Sequence, residues 1–359
     1  MKRLLSLRQF LQALIHTRLT KLRLSWLGTA LCLPLSAGAV EPDPNALLDG
    51  MVRAFRELNY DLSFVYVRDG KIEPMRLVHA LSEGRERERL VHLNGQPREV
   101  IREDDTITAY LAGAQPVMLD KADGNVVWTR ALLSNLQQMR AHYQLSDGGP
   151  ARIAGRDARE IIIRSSDGER YGYRLWVDAS SGLLLRSDLL NQAEQIIEQW
   201  QVVSLQVKDA IPEADLRVGF AVSAPAGVRV LTAKAPATEQ VAAAWQVGWL
   251  PDGFTLRSQQ MQHRNDSTVP VQHLLFSDGV ASISVYVSLP PQGVNSLERT
   301  WRKGAMTIVE TADRERRVTV VGDIPSQTAR RIAGSVKALP VKPEAKAETK
   351  AAAKSSDSL

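Results

Sequence analysis

The chain is nearly free of cysteine, and this restricts its chemistry. The one cysteine among 359 residues, Cys32, lies in an N-terminal stretch that we expect to be removed on export. The remaining protein then has no thiol nucleophile, no disulfide and no cysteine metal ligand. In an oxidising compartment it must hold its fold by core packing alone.

Motifs of common enzyme classes are also missing. The sequence contains no G-x-S-x-G, G-x-x-x-x-G-K-[ST], H-E-x-x-H or G-x-G-x-x-G pattern. Beyond residue 39 the histidines lack the i, i+4 spacing of helical metal ligands: His79, His92, His142, His263 and His273. We therefore expect a non-enzyme without catalytic residues, metal site or cofactor.

Acidic residues are absent from the first 40 positions, which carry six basic residues. An apolar run at 24–35 and Ala37-Gly38-Ala39 follow. This pattern predicts a secretory signal peptide, residues 1–39, and the apolar run is too short to favour a membrane span. A lipid-attached Cys32 is the alternative, although bulky Leu31 precedes it where small residues are preferred.

Removal of this segment changes the charge of the protein. The whole chain carries 45 basic and 40 acidic residues, and the exported part would keep 39 basic and all 40 acidic ones, a net charge of −1. Nucleic-acid binding needs a surplus of Lys and Arg. We therefore expect no nucleic-acid partner.

Two dipeptides, Asp69-Gly70 and Asn94-Gly95, predict the two-residue turns of successive β-hairpins between Tyr60 and Arg102. Counting outward from the first turn pairs large side chains on one face. The expected pairs are Phe64 with Met75, Leu62 with Leu77 and Tyr60 with His79. The alternating charges from Glu83 to Arg89 predict a solvated edge that blocks edge-to-edge pairing.

Two amphipathic helices accompany these strands. Their apolar stripes predict one helix at 45–59, capped by Asp43 or Asn45, and a lid helix at about 130–143 that ends at 147–150. Further strands are predicted at 106–111, 158–164, 170–178, 183–190 and 194–207. The fold class is α+β, with a curved antiparallel half-barrel sheet wrapped around helices and a smaller C-terminal α+β domain.

The predicted domains are an N-terminal domain at 40–207, a linker at 208–239 and a C-terminal domain at 240–339. In the last of these we expect strands at 254–262, 273–276, 281–289, 306–312 and 316–322. A closing helix is expected from Ser326 to Leu339, with Ser326 as its N-cap. Residues 340–359 have no apolar period and are expected to be disordered.

The sequence resembles the RseB/MucB family of periplasmic regulators, and the resemblance covers about residues 45–339. In the N-terminal half it rests on Tyr60, Phe64-Val65-Tyr66, Glu73, Arg76, His79, Gly84, Glu88-Arg89-Leu90, Leu93, Gly95 and Arg98-Glu99-Val100. Trp176-Val177-Asp178 and Ser181 to Arg186 resemble the same family and the LolA/LolB lipoprotein carriers. The C-terminal half contributes Trp245, Trp249 to Phe254 and Val318 to Pro325.

The resemblance implies a periplasmic negative regulator of a sigma-E-type envelope-stress response. Such a protein binds the periplasmic segment of a single-span RseA/MucA-like anti-sigma factor and shields it from site-one proteolysis. A lipid or lipopolysaccharide signal releases it. The alternatives are a LolA-type lipoprotein or lipid carrier and, third, an enzyme; a homodimer stays open.

Two groups of residues are candidate binding sites. The lipid-binding candidates converge between sheet and lid helix: Leu62, Phe64, Met75, Leu77, Leu136 and Trp176. An ordinary packed core is the alternative explanation of that stripe. The partner-binding candidates are Trp245, Trp249, Phe254 and Trp301. Trp301 is expected in a loop-rich part, ringed by charge as interface anchors are, whereas Trp249 and Phe254 also suit a core.

We predict that deleting residues from Val341 onward leaves the midpoint of thermal unfolding unchanged. Apart from Val341 and Leu359, the apolar side chains of this tail are alanines, which offer little surface to bury. Calorimetry of the full-length and truncated proteins measures the effect. A midpoint several degrees lower after truncation would show that the tail docks.

Overall fold

The structure is a computed structural model that describes residues 43–119, 140–220, 229–231, 244–263, 270–290, 293 and 295–339. Two α-helices have both ends within these ranges, α1 (Pro44–Glu57) and α2 (Ser326–Ser335). The strands of the N-terminal half are β1 (Asn59–Arg68), β2 (Lys71–Ser82), β3 (Arg85–His92), β4 (Arg98–Glu103), β5 (Thr106–Leu111), β6 (Val117–Leu119), β7 (Tyr143–Ile153), β8 (Arg156–Ser165), β9 (Gly172–Asp178), β10 (Leu184–Leu190), β11 (Ile196–Lys208) and β12 (Arg229–Leu231). Those of the C-terminal half are β13 (Trp245–Val247), β14 (Thr255–His263), β15 (Pro270–Ser277), β16 (Ser282–Ser288), β17 (Leu297–Lys303), β18 (Met306–Ala312), β19 (Arg317–Gly322) and β20 (Val336–Ala338).

The strands form two main sheets. The large sheet has the order β12-β6-β5-β4-β3-β2-β1-β11-β10-β9-β8-β7, and the small sheet has the order β14-β15-β16-β19-β18-β17. Strands β13 and β20 form a separate pair. All pairs are antiparallel except β12 with β6. The described fold is therefore mostly antiparallel sheet with few helices, richer in strands than the α+β expectation.

The first hairpin is confirmed in its register. Asp69 and Gly70 have φ angles of 50° and 72°, as a type I′ turn requires. The pairs across β1 and β2 are those counted from the turn: Phe64 with Met75, Leu62 with Leu77 and Tyr60 with His79. The turn dipeptide therefore fixes the register of β1 and β2. It thereby determines which large apolar residues share one face of the sheet, and we call that face the packed face.

The second predicted turn is wrong. Asn94-Gly95 lies in a longer connection, residues 93–97, because the first pair between β3 and β4 is His92 with Arg98. A two-residue turn forms earlier instead, at Glu83-Gly84, where φ is 52° and 76°. Glu83 adopts this left-handed conformation although Asn and Asp are the usual non-glycine residues there. The sequence signal for this turn was correspondingly weak.

The charged run at 83–89 is not a solvated edge, and that prediction is wrong. It forms most of β3, which pairs with β2 on one side and β4 on the other. Arg89 forms a bidentate ion pair with Glu99 of β4 at 2.8 and 2.9 Å, and both side chains are buried. Charges inside a sheet are tolerated because each is paired and hydrogen-bonded.

A second charged group lies on the packed face of β3. Arg102 contacts both Glu86 and Glu88, and Glu86 lies 3.2 Å from Nε2 of buried His79. Nδ1 of His79 lies 2.8 Å from the Leu58 carbonyl oxygen. Burial alone would raise the pKa of Glu86, but hydrogen bonds from His79 and Arg102 outweigh it and lower the pKa to about 2.

The segment after β11 covers the opposite face of β2–β4. We call residues 209–219 the strap. Leu216 packs on Val78 and Ala80, Arg89 donates a hydrogen bond to the Asp215 carbonyl at 3.1 Å, and the Gly219 amide donates to Glu99 at 3.2 Å. The strap, which lies at the start of the predicted linker at 208–239, is therefore bound to the large sheet.

Helix α1 forms the core with the packed face. It begins after Asp43, whose carboxylate accepts a hydrogen bond from the Asn45 amide at 3.0 Å, so Asp43 is the N-cap. The buried residues of α1 are Leu48, Met51, Ala54 and Phe55, and they join the apolar residues of β1, β2 and β8–β11 in one core. Each large apolar side chain buried here contributes about 1.5–3 kcal/mol.

The second meander forms the other half of the large sheet. Strands β8–β11 match the predicted strands within two residues, and β11 pairs with β1 from Asn59–Lys208 to Arg68–Glu198. Most of the predicted lid helix, residues 130–139, lies outside the described residues. Its proposed end is wrong, since Tyr143 begins β7 and residues 147–150 lie within that strand, at a register shift.

The small sheet carries α2 on one face. Alternate residues of the sheet pack with Ala329, Ile332 and Ala333 of the helix. Helix α2 is shorter than predicted, because the backbone becomes extended at Val336. The chain then continues as strand β20, which pairs with β13. The N-cap residue of α2 is Pro325, whereas Ser326 was predicted at this position. Pro325 forms no side-chain hydrogen bond to the helix. Strands β13, β17 and β20 of this half were not predicted, nor were β6, β7 and β12 of the N-terminal half. Within the described ranges no helix is long and apolar enough to cross a membrane.

We predict that Arg89→Ala lowers the free energy of unfolding by about 3–5 kcal/mol, because it leaves the buried Glu99 carboxylate without its ion-pair partner. Arg85→Ala is the control, at an exposed site on the same strand, and should change stability by less than about 0.5 kcal/mol. Urea unfolding measures both. Equal effects of the two substitutions would contradict a buried role for β3.

We also predict an acid-sensitive contribution from Glu86. Its pKa is lowered in the folded state, so its contribution is full above pH 4.5 and is lost as the pH falls towards 2. Because 29% of the Glu86 side chain is exposed, solvent screening reduces its contribution to on the order of 1–2 kcal/mol. Glu86→Gln should therefore be destabilised at pH 7 and lose less stability than wild type between pH 5 and pH 3. Glu83→Gln, at the exposed turn, should keep the wild-type acid response.

Candidate functional site

The two sheets meet at a buried guanidinium, and we call this meeting point the Arg170 contact. Arg170 of the N-terminal half forms an ion pair with Asp278 of the C-terminal half at 2.7 Å, with side-chain exposures of 1% and 2%. It also contacts Asp167 at 2.5 Å and donates a hydrogen bond to the Asp252 carbonyl. Its charge lies over the Phe254 ring at 4.9 Å.

The charges of the Arg170 contact shift the titration of its members. Burial would lower the pKa of the Arg170 guanidinium, but its hydrogen bond to Asp278 and the charge of Asp167 raise it above its ordinary value. Burial would likewise raise the pKa of Asp167, but hydrogen bonds from Ser165 and the Glu169 amide lower it. Both groups therefore remain charged near neutral pH.

Helix α2 touches the large-sheet half beside this contact. Thr328 donates a hydrogen bond to the Glu169 carboxylate at 2.8 Å, and Arg331 forms an ion pair with the same carboxylate at 3.0 Å. The Arg331 guanidinium also lies 3.6 Å from the centroid of the Trp249 ring. The Glu169 carboxylate and the Trp249 ring thus both contact side chains of helix α2.

A further junction, which we call the Glu198 contact, joins the turn between β17 and β18 to the large sheet. The Ala305 amide donates to Glu198 at 2.6 Å, and the Gly304 amide donates to Asp69, at the tip of the first hairpin, at 3.2 Å. Tyr66 donates to the other oxygen of Glu198 at 2.5 Å. A side chain at residue 304 would overlap Glu198, and its φ is positive, so this turn requires glycine.

Four of the six lipid-binding candidates, Leu62, Phe64, Met75 and Leu77, are buried together on the packed face. The fifth, Trp176, is buried too, but its pairing with Arg186 and Glu160 places it on the opposite face of the sheet, where the Arg186 guanidinium lies 4.6 Å from the centre of its ring. The sixth, Leu136, lies outside the described residues. The group formed by His79, Glu86, Glu88 and Arg102 lies at one end of the same face, where the Tyr60 and His79 rings stack at 4.9 Å. The Glu88 Oε1 atom is buried and has no hydrogen-bond partner among the described residues.

The four partner-binding candidates are not gathered in one place. Trp245 and Trp249 are half-buried against the small core, and Phe254 is buried at the Arg170 contact. Trp301 differs, because 46% of its surface is exposed. It lies in the middle of edge strand β17, so its expected position in a loop-rich part is wrong.

The residues that join the halves were missed at the level of sequence. Arg170 and Asp278 are separated by 108 positions and belong to no local motif. Asp278 begins an isolated Asp-Gly-Val turn, and Arg170 follows another turn. Neither local sequence indicates that the two side chains form an ion pair. In the described part of the chain, no three His, Asp or Glu side chains are grouped as a metal site requires.

Family models match both halves of the chain. The model of the MucB/RseB N-terminal domain matches residues 43–219, and that of the MucB/RseB C-terminal domain matches residues 239–337. The first match ends where the strap ends, in agreement with the contacts of the strap. Together the matches cover more than two thirds of the sequence.

Curated relatives and solved structures agree with these matches. Sigma-E factor regulatory protein RseB of Salmonella typhimurium is 31% identical over 88% of this chain and 96% of its own length. Sigma factor AlgU regulatory protein MucB of Pseudomonas aeruginosa is 32% identical over 90% of this chain and 97% of its own length.

Two solved complexes resemble the fold. MucB in complex with MucA(peri) has a TM-score of 0.63 and 31% identity, covering 82% of this chain and 99% of that one. The Pseudomonas aeruginosa MucA/MucB complex has a TM-score of 0.64 and 30% identity, covering 83% and 99%. The chain belongs to the MucB/RseB family of sigma-factor regulatory proteins.

Proposed function

We propose that this protein is a periplasmic negative regulator of a sigma-E-type envelope-stress response. It binds the periplasmic segment of a single-span RseA/MucA-like anti-sigma factor and shields that segment from site-one proteolysis. The observation that carries the proposal is the match of both halves, at 30–31% identity, to MucB structures solved with MucA. The relatives are named regulatory proteins, which agrees with a protein that acts by binding.

We assign different tasks to the two halves. The N-terminal half, which we take to extend through the strap to residue 219, senses a lipid or lipopolysaccharide signal on its packed face. This is supported by the apolar surface of that face and the polar group at its end. The C-terminal half binds the anti-sigma segment. A lipoprotein carrier is disfavoured, since it needs only the large sheet and not a small sheet bound to it by buried charge.

Trp301 is the candidate that suits partner binding best. An exposed indole among charged neighbours resembles the anchors at the centres of interfaces. Trp245, Trp249 and Phe254 contribute to the same half by packing its core and the contact with the large sheet. They support the surface from which Trp301 projects.

The experiment that tests the function is titration of the mature protein with the purified periplasmic segment of the organism's own RseA/MucA-type factor, followed by digestion with the site-one protease. We expect a complex in which cleavage is suppressed, and restored cleavage after addition of lipopolysaccharide. Failure to bind would refute the proposed function, whereas binding without lipid release would refute only the sensing task.

We predict that Trp301→Ala weakens this binding by about 2 kcal/mol, roughly 30-fold, as loss of an interface anchor does. Leu256→Ala is the matched control, because Leu256 is similarly exposed, at 51%, on the opposite edge strand β14. It should bind as tightly as wild type. Calorimetric titration measures both, and equal affinities for the two variants would exclude Trp301 from the interface.

A further inference from the structure

One face of the small sheet has no helix on it within the described residues. Helix α2 packs on the face that carries Val309, Val320 and Val285. Successive side chains of a strand point to opposite faces, so their neighbours form the other face, which we call the open face. A row of paired residues crosses it: Trp301, Ile308, Val321, Ser284 and Leu275. Except for Trp301, the row is half-buried.

Trp301 stands at the end of this row because β17 is an edge strand. It is the last strand of the small sheet and pairs, within the described chain, only with β18. Its outer side therefore presents unpaired backbone N–H and C=O groups over seven residues. Such an edge can accept another extended segment as an added strand.

The side chains of β17 define what that segment carries. Arg299 and Lys303 lie two residues on either side of Trp301 and so share the open face with it. Both are exposed, and neither forms an ion pair with any described residue. The one acid of the strand, Glu298, points to the other face, where Arg330 of α2 pairs with it at 3.1 Å. The open face of β17 itself therefore carries two cations around an indole. Across from Arg299 on β18, Glu310 lies on the same face, but it is buried and forms an ion pair with Arg317 at 2.6 Å.

Protection against aggregation explains only part of this pattern. Edge strands often carry Lys or Arg to prevent pairing with other chains. A protective edge has no use for a large apolar side chain at its centre, because an exposed indole favours association. An indole between two cations instead fits a partner that supplies both negative charge and an apolar side chain.

We propose that the outer edge of β17 binds an extended acidic segment of the anti-sigma factor's periplasmic part as an added β-strand. The segment has the pattern acid–x–apolar–x–acid, which places carboxylates opposite Arg299 and Lys303 and an apolar side chain opposite Trp301. This inference rests on the proposed function and adds the mode of binding and the chemistry of the bound segment.

The first test is binding of the mature protein to the recombinant periplasmic segment, measured by fluorescence anisotropy at 0.15 M salt. The double variant R299E/K303E should bind at least tenfold more weakly than wild type. R257E/R314E is the control, since it makes the same change in net charge at exposed arginines outside β17. It should keep the wild-type affinity, and thermal unfolding should show that both variants are folded.

The second test is hydrogen–deuterium exchange of the full chain with and without the segment. Binding by strand addition should slow exchange of amides within 297–303, whereas amides of β14, the other edge, should not change. Wild-type binding that R299E/K303E leaves intact, or that leaves exchange in β17 unaltered, would overturn strand addition while the proposed function stands. No binding by wild type would overturn both.

Discussion

The burial of one positive charge, that of Arg170, determines how the two sheets are joined. Removing a guanidinium from water is costly unless carboxylates and hydrogen-bond acceptors replace the lost hydration. Asp167 comes from the same half, but Asp278 and the Asp252 carbonyl come from the other half. Separation of the sheets would leave Arg170 with one of its acceptors and would also expose the Phe254 ring. The ion pair therefore favours a single arrangement more than it adds net stability.

The Glu198 contact fixes the rotation of the two sheets relative to each other as well as their relative position. A single contact would let one sheet turn about the other, whereas two separated contacts resist it. Glu198 accepts from Tyr66 within the large sheet and from Ala305 of the small one, so its two oxygens are both used. Gly304 is needed there because a side chain would occupy the space of Glu198. Edge strand β17 consequently has a fixed place beside the first hairpin.

Features whose cause is local along the chain were predictable from sequence, and features whose cause is distant were not. Asp69-Gly70 specified the register of β1 and β2, and Asp43, one of the two N-cap candidates, caps α1. The charged run of β3 misled, because its burial depends on Glu99 and on the strap, whose Gly219 lies 120 residues after Glu99. The apolar residues of the packed face were found by alternation. Trp301 was singled out by its charged neighbours, but its strand and its edge position depend on pairing that its own sequence does not signal.

The proposed function requires communication between a lipid on the packed face and a partner on the small sheet, and this needs an element whose position both ligands affect. Strand β1 meets this condition. Leu62 and Phe64 lie in the packed face, Tyr66 binds Glu198, and Asp69 at the end of the hairpin accepts from the Gly304 amide beside β17. In the proposed sensing task, a lipid inserted against Phe64 would displace side chains of a close-packed core, and we infer that it would shift β1 together with its tip. Movement of that tip would break the hydrogen bond to Gly304 and alter the start of β18, so release of a partner bound at β17 would begin at the Glu198 contact.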